Sequence, residues 1–173
     1  MSTEEFIIIV YLIIEEIYPT IVSEPLRKRG FPPALTDIEI ITMQIVGECL
    51  KMDTDKSIWM FFKNNYLSWF PHLGSYPNFC KHCANLWQVH QKITAQLTAH
   101  YGQDHIHFID GFPIPVCRYS RAKRHKNFKE HAGFSYCAAQ QEKYYGFKGH
   151  LVINLEGMIT GYTFAPANVD ERD

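Results

Sequence analysis

An aspartate at the end of a short apolar segment is the first side chain of this sequence whose setting indicates chemistry. Asp110 closes the segment His105–Asp110, and Gly111, Pro113 and Pro115 follow it. The segment is too short for a helix, and its composition is typical of a strand that ends where the prolines begin. Asp110 is therefore predicted at the C-terminal tip of a strand, where a carboxylate can hold a divalent metal ion. Taken alone, an aspartate in this setting is more often a turn residue.

The positive charge of the chain is concentrated in residues 118–131. Six basic side chains stand there against the single acid Glu130, which gives a net charge of +5, and Tyr119 and Phe128 lie among them. Basic residues neutralise phosphates and aromatic rings stack on bases, so this segment predicts contact with nucleic acid, with a solvated loop as the alternative. The basic side chains are Arg118, Arg121, Lys123, Arg124, Lys126 and Lys129.

Two cysteines raise the question of a zinc site. Cys80 and Cys83 are three residues apart, a spacing at which two thiolates can share one ion, and His72 and His90 are nearby. No second pair follows at the spacing of a zinc finger, and Cys83 falls on an apolar helix face, where a free cysteine is typically buried. The sequence favours a buried cysteine and keeps the zinc protein as an alternative.

Composition limits the class of protein. The 173 residues are 46% hydrophobic and 20% charged with a formal net charge of −1, which argues for a packed core and against disorder. The apolar run 6–14 predicts a buried helix, because it is shorter than the about 20 residues that cross a bilayer and lacks the basic flank of a signal peptide. With an odd number of cysteines, these features predict a cytoplasmic protein with no membrane partner.

The elements that must position these residues fall into two groups. Residues 1–103 are predicted as a helical bundle, in which Thr36 and Glu39 form a capping box at the start of one helix. Further helices are expected around residues 59–66 and from Pro77 to near Gly102. The helix that follows Thr36 is expected to bury a face made of Ile38, Ile41, Ile45 and Cys49.

The second group, residues 104–173, is predicted as about three strands joined by the long basic loop. Residues 147–155 alternate, which places Lys148, His150, Val152 and Asn154 on one face and Phe147, Gly149, Leu151, Ile153 and Leu155 on the other. Glu156 and Gly157 suit a turn, and Met158–Ala165 is the expected returning strand.

Six short segments, taken in order, resemble the bacterial insertion-sequence DDE transposases, and specifically the group called insertion sequence family 982. The resemblance covers most of the chain. The segments are residues 35–42 and 69–71 in the helical part, and Phe108–Cys117, Arg121–Ala122, Tyr144–Leu151 and Pro166–Asp170 in the second half.

The resemblance implies an α+β protein in which the N-terminal helical bundle precedes an incomplete RNase-H-like domain with its first three strands. Asp110 matches the first catalytic, metal-binding aspartate of that family. Lys148 and His150 lie on the neighbouring strand and join the basic segment as DNA-binding residues. The implied cofactor is a pair of Mg²⁺ ions, and the implied partners are the DNA ends of the element and a second transposase chain, either another copy or an intact enzyme.

The sequence also departs from the family. Such transposases carry a second catalytic aspartate and a glutamate beyond the Pro166–Asn168 segment, whereas this sequence stops at Asp173. We therefore expect a truncated transposase in which Asp110 alone binds metal weakly or not at all, because hard dications need several charged oxygen ligands. The expected function is metal-dependent cleavage and strand transfer in transposition, with the isolated chain inactive. The alternative is a non-catalytic DNA-binding remnant or regulator of transposition.

Overall fold

A computed structural model describes residues 1–24, 26–27, 33–102 and 105–169. The chain divides into two compact units, Met1–Gln96 and Leu97–Asp173. The helices are α1 (Thr3–Ile21), α2 (Asp37–Cys49), α3 (Asp55–Asn65), α4 (Tyr76–Asn85) and α5 (Trp87–Tyr101). Among the described residues, none of these helices combines the length and the hydropathy that a bilayer crossing requires.

The predicted capping box begins α2. Thr36 Oγ1 accepts a hydrogen bond from the Glu39 backbone N–H at 3.2 Å, and the Thr36 N–H donates to Glu39 Oε2 at 2.7 Å. These two bonds satisfy backbone and side-chain groups at the helix start without any tertiary contact, which is why the sequence alone predicts it.

The buried face of α2 differs from the prediction. Only Ile41 of the four expected residues is buried, whereas Cys49 is exposed. The reason is that α2 packs against α1, α3 and α4, so its buried surface is wide. Gly47 widens it further, because a Cβ there would lie 2.5 Å from Ile58 Cγ1 of α3. The fully buried hydrophobic residues of α2 are Ile40, Ile41, Met43 and Val46.

The other helix predictions are confirmed in part. The expected long fourth helix is two helices, because the chain turns at Leu86, which is fully buried and donates its N–H to the Cys83 carbonyl at 3.0 Å. Helix α1 is buried on one face only, through Ile7, Val10 and Ile14. Its sequence is apolar all round while it packs mainly against α2, so Ile8, Ile9, Leu12 and Ile13 remain exposed.

The second unit contains an antiparallel sheet of four strands, β1 (His107–Cys117), β2 (Gly133–Cys137), β3 (Glu142–Asn154) and β4 (Ile159–Pro166). Strand β3 is central, with β1 along one side and β2 and β4 in succession along the other. The α+β class is confirmed, and β4 and the turn at Gly157 lie where the sequence predicts them. Strand β2 was not predicted, because it was assigned to the basic loop.

The prediction that Asp110 ends a strand is wrong. Asp110 is the fourth of eleven residues in β1, which continues through Pro113 and Pro115 to Cys117. Strand β1 pairs only with β3 among the described residues, so its other edge is unpaired. Pro113 and Pro115 are two residues apart, so their backbone nitrogens point to the same edge of β1. Where that is the outer, unpaired edge, the missing N–H groups remove no hydrogen bond to β3.

Candidate functional site

The register of the sheet assigns each candidate side chain to one of its two faces. Residues paired directly across antiparallel strands place their side chains on the same face. Asp110 pairs with Leu151, so it shares a face with the odd-numbered residues of β3, which we call the Asp110 face. Lys148 and His150 pair with Pro113 and Gly111 and lie on the other face, the Lys148 face. The structure therefore does not bring Lys148 and His150 together with Asp110.

Asp110 is exposed and stands among apolar side chains. Its row across the sheet continues through Leu151 to Tyr162, and Phe108 and Phe112 flank it on β1. Within the described residues, no group of three or more histidines, cysteines or acids is placed to hold a metal ion. Asp170 and Asp173 lie outside those residues. On this face, the described strand residues thus supply one carboxylate, that of Asp110, which does not by itself fit a pair of divalent ions.

The basic segment contains a short helix that the sequence did not predict. Residues Tyr119–Arg124 form a 3-10 helix. With three residues per turn, side chains three apart lie above one another, so Arg118, Arg121 and Arg124 share one side. All three are exposed, and together with Cys117 and His125 they line an open concavity of about 540 Å³. We call this surface the arginine groove.

The remaining lysines of the segment have a different position. Lys123, Lys126 and Lys129 are exposed but are not among the residues that line the arginine groove. The 3-10 helix contacts β3, and its Ala122 is buried. This helix therefore has a buried side, which contains Ala122, and an exposed, positively charged side formed by the arginines.

Aromatic contacts place the basic segment on the Asp110 face. The Tyr119 ring lies 5.9 Å from Phe134, whose register partner on β3 is the odd-numbered Tyr145. The Phe128 ring lies 5.6 Å from that of Phe147, which is also odd-numbered. The Tyr145 hydroxyl donates to the Phe128 carbonyl at 3.4 Å. The basic segment therefore contacts, through Tyr119 and Phe128, the same face of the sheet that carries Asp110.

Lys148 contacts the turn that follows β4. Its Nζ donates to the Val169 carbonyl at 3.4 Å, and the Ala167 N–H donates to the Gly146 carbonyl at 3.1 Å. A Cβ at Gly133 would collide with Asn168, so a glycine at that position leaves room for the turn. The Pro166–Asn168 segment is thus fixed against β3 by named backbone and side-chain contacts.

The cysteines of the helical unit do not assemble a zinc site among the described residues. Cys83 is buried, and desolvation, together with the charges of Asp55 and Cys80, raises the pKa of its thiol to about 12. His90 Nε2 lies 2.9 Å from Gln44 Oε1, and burial lowers the pKa of that imidazole. This geometry is that of a neutral, packed thiol rather than of a metal-binding thiolate.

Sequence reasoning missed one set of residues on the Asp110 face. These are exposed aromatic side chains on the strands, and their shared orientation depends on the register between strands. The only local signal is the alternation of two aromatic pairs along the chain. The residues are Phe108, Phe134, Tyr136, Tyr162 and Phe164.

Comparison with known proteins gives one family. Residues 101–173 match the family described as Transposase DDE domain. No curated protein and no solved structure gives a significant match to the chain. The matched residues include Asp110, the basic segment and the whole sheet, and the match supports a DDE transposase.

Proposed function

We propose that this chain is a DDE transposase of insertion sequence family 982, or a part of one, that acts on DNA in transposition. The observation that carries the proposal is that the basic segment, which contains the arginine groove, contacts through Tyr119 and Phe128 the same sheet face that carries Asp110, within the matched DDE domain. A carboxylate and a phosphate-binding surface on the same face are what an enzyme acting on phosphodiesters requires.

The chain's own residues divide this work between them. The arginines bind and orient the DNA backbone, because guanidinium groups pair with phosphate oxygens in a planar, two-pronged geometry. Asp110 contributes one metal-binding carboxylate beside that backbone. Bound Mg²⁺ ions would supply the Lewis acid chemistry of cleavage. The described residues do not complete such a site, so we derive no cleavage step from them.

A second candidate function is a DNA-binding regulator of transposition without cleavage activity. It is favoured because the described residues do not bring together three or more potential metal ligands. Both candidates require DNA binding through the arginine groove, and they differ in whether DNA is cut.

The salt dependence of DNA binding tests the shared requirement. The probe is a duplex taken from the DNA that flanks the chain's own gene, and the variant is Arg118→Ala, Arg121→Ala, Arg124→Ala. Each lost phosphate contact lowers the slope of log affinity against log salt by about 0.9, so three lower it by about 2.7. Between 50 and 200 mM salt, the wild-type chain should therefore lose about 40-fold more affinity than the variant.

A matched control removes three exposed lysines from the helical unit, as Lys51→Ala, Lys56→Ala, Lys92→Ala. This variant has the same change in net charge and should keep the wild-type slope. Equal slopes in the wild type and the arginine variant would contradict phosphate binding in the arginine groove.

A nicking assay separates the two candidates. Supercoiled plasmid that carries the flanking DNA is incubated with the 173-residue chain and Mg²⁺ or Mn²⁺. Nicking that is lost in Asp110→Asn and kept in Asp53→Asn, an exposed loop acid, supports the enzyme. Preferential binding to the flanking DNA over a shuffled sequence without nicking supports the regulator. No preference for the flanking DNA contradicts both.

A further inference from the structure

The exposed aromatic residues of the sheet are distributed unequally between its faces. All five exposed aromatic side chains of the described strands lie on the Asp110 face, and none lies on the Lys148 face. Phe108 is 54% exposed, Tyr162 51% and Phe164 57%. Large rings so open to water on one face of a sheet indicate a binding surface rather than a core.

Three of these rings lie in the row of Asp110 across the sheet or in a row next to it. Tyr162 and Phe164 are alternate residues of β4, with ring centroids 5.7 Å apart and planes inclined at 47°. Phe108 lies on the far side of β3, two residues before Asp110. We call Phe108, Tyr162 and Phe164 the aromatic platform.

The centre of the aromatic platform has no side chain, because a glycine occupies it. Gly149 stands on β3 between Phe112 and Phe164, and a Cβ there would lie 2.7 Å from the Phe112 ring. The Phe112 ring therefore lies over the β3 backbone at this position. The result is an apolar floor with exposed rings on both sides.

The positive charge of the arginine groove, together with the aromatic platform, indicates which class of ligand this face binds. The arginine groove is anchored on the same face through Phe134 and Phe147. A ligand that satisfies both surfaces must carry regularly spaced negative charges and flat apolar groups. Unpaired DNA has both, whereas a duplex keeps its base faces stacked inside. A second copy of this chain would bring further arginines to a face that is already positive.

The dimensions suit such a ligand. Phe134, which contacts the basic segment, pairs with Tyr145 of β3, and Phe108 of the platform pairs with Ile153 of β3. Tyr145 and Ile153 are eight residues apart along the strand. At about 3.4 Å per residue, this separation is about 27 Å. A surface of that length accommodates several nucleotides, which is within the about 4–16 nucleotides that one single-strand-binding OB-fold covers.

We propose that the Asp110 face binds single-stranded DNA, with bases stacked on the aromatic platform and phosphates held in the arginine groove. The inference rests on the proposed function and narrows it, because it names unpaired DNA as the form that reaches Asp110.

Fluorescence anisotropy with two labelled DNA probes tests the inference. The single-stranded probe is an oligothymidine of about 12 nucleotides, and the second probe is a duplex of about 20 base pairs. The variant is Tyr162→Ala, Phe164→Ala in the full chain. Each lost stacking contact should weaken binding of the oligothymidine by about five- to 150-fold. Duplex binding should stay within about twofold of wild type, because the arginines are intact.

Two control variants distinguish the loss of stacking contacts from a loss of the folded structure. Ile109→Ala removes an exposed apolar side chain of β1 from the Lys148 face and should leave the affinity for oligothymidine unchanged. Tyr162→Phe, Phe164→Tyr keeps both rings and should bind like wild type even if the alanine variant does not fold.

The outcomes separate failure of the inference from failure of the proposed function. Wild-type oligothymidine affinity in the folded alanine variant, with duplex binding intact, overturns the platform and leaves the proposed function standing. Binding of neither probe by the wild-type chain contradicts both. A wild-type oligomer that the alanine variant converts to monomer, without any loss of oligothymidine affinity, assigns the face to self-association and also overturns the inference.

Discussion

Asp37 is expected to stabilise the helical unit more than any other acid whose contacts are described. It is the first residue of α2, and its Oδ2 accepts a hydrogen bond from the Tyr18 hydroxyl of α1 at 2.7 Å. Its Oδ1 lies 2.5 Å from His82 Nε2 of α4. The side chain of His82 is 7% exposed and that of Asp37 18%. One carboxylate therefore joins three helices.

The change Asp37→Asn keeps the shape of this side chain and removes its charge. A hydrogen bond to a charged group contributes about 1.5–3 kcal/mol, and breaking a fully buried pair costs about 3–5 kcal/mol. Asp37 retains some solvent contact, and Asn can still accept one hydrogen bond. We therefore expect the free energy of unfolding to fall by about 2–4 kcal/mol, a range that includes the lost interaction of the carboxylate with the helix N-terminus.

The loss should depend on pH in one direction. The hydrogen bond with His82, aided by that with Tyr18, lowers the pKa of Asp37 below its ordinary value of 3.8. A group whose pKa is depressed by folding contributes stability that is present above its unfolded pKa and lost as the pH falls through its folded pKa. The difference between wild type and Asp37→Asn should be complete at pH 5–7 and shrink below about pH 4.

Urea denaturation followed by tryptophan fluorescence measures this difference. All three tryptophans, Trp59, Trp69 and Trp87, lie in the helical unit, so the signal reports the unfolding of that unit. Asp53→Asn, an exposed loop acid, is the control and should change stability by less than about 0.5 kcal/mol. A loss in Asp37→Asn below that size, or one that is the same at pH 3 and pH 7, would refute the reasoning.

Two further predictions concern a glycine and a cysteine. Gly146→Ala should lower the melting temperature of the sheet unit, measured by circular dichroism, because its Cβ would collide with the Ile114 carbonyl oxygen, whereas Gly161→Ala, with its nearest neighbour at 3.6 Å, should be close to neutral. Equal shifts would contradict the close approach of β1 and β3. At pH 8, a thiol reagent should label exposed Cys49 within the folded chain and Cys83 only after unfolding, because burial raises the pKa of the Cys83 thiol to about 12. Peptide mapping by mass spectrometry distinguishes the two, and rapid labelling of native Cys83 would refute its burial.

The parts of the fold that the sequence predicts are those set by local chemistry. The capping box of Thr36 and Glu39 closes within four residues, and Gly157 has the positive φ of 81° that a tight turn favours in glycine. The alternation along β3 is likewise a property of one strand. Each of these signals acts over a few residues, so no knowledge of distant contacts is needed.

The errors arise where a distant contact decides. Pro113 and Pro115 end a strand only if both of its edges are paired, and β1 has one unpaired edge among the described residues. The buried face of α2 turns toward Gly47 because Ile58 of another helix fills the space above it. Strand β2 is a strand through its pairing with β3, and its five residues alone, with Phe134 and Tyr136 alternating, are too short a signal to separate it from the basic loop.

The candidate site shows the same division between residue types and their placement. The sequence identifies Asp110 and the arginines by type, but the face on which each lies depends on register, and a slip of one residue would move every side chain of a strand to the other face. The register separates Asp110 from Lys148 and His150 by the thickness of the sheet.

This separation restricts how one DNA molecule can be held. A strand that follows the arginine groove past Asp110 remains on one face and does not meet Lys148 through the sheet. Lys148 donates to the Val169 carbonyl of the turn after β4, which is held to Gly146 by a backbone hydrogen bond. DNA binding by Lys148 and His150 therefore requires a second segment of DNA on the opposite face. Under the proposed transposase function, the joining of two DNA molecules would use two such surfaces, one on each side of the sheet.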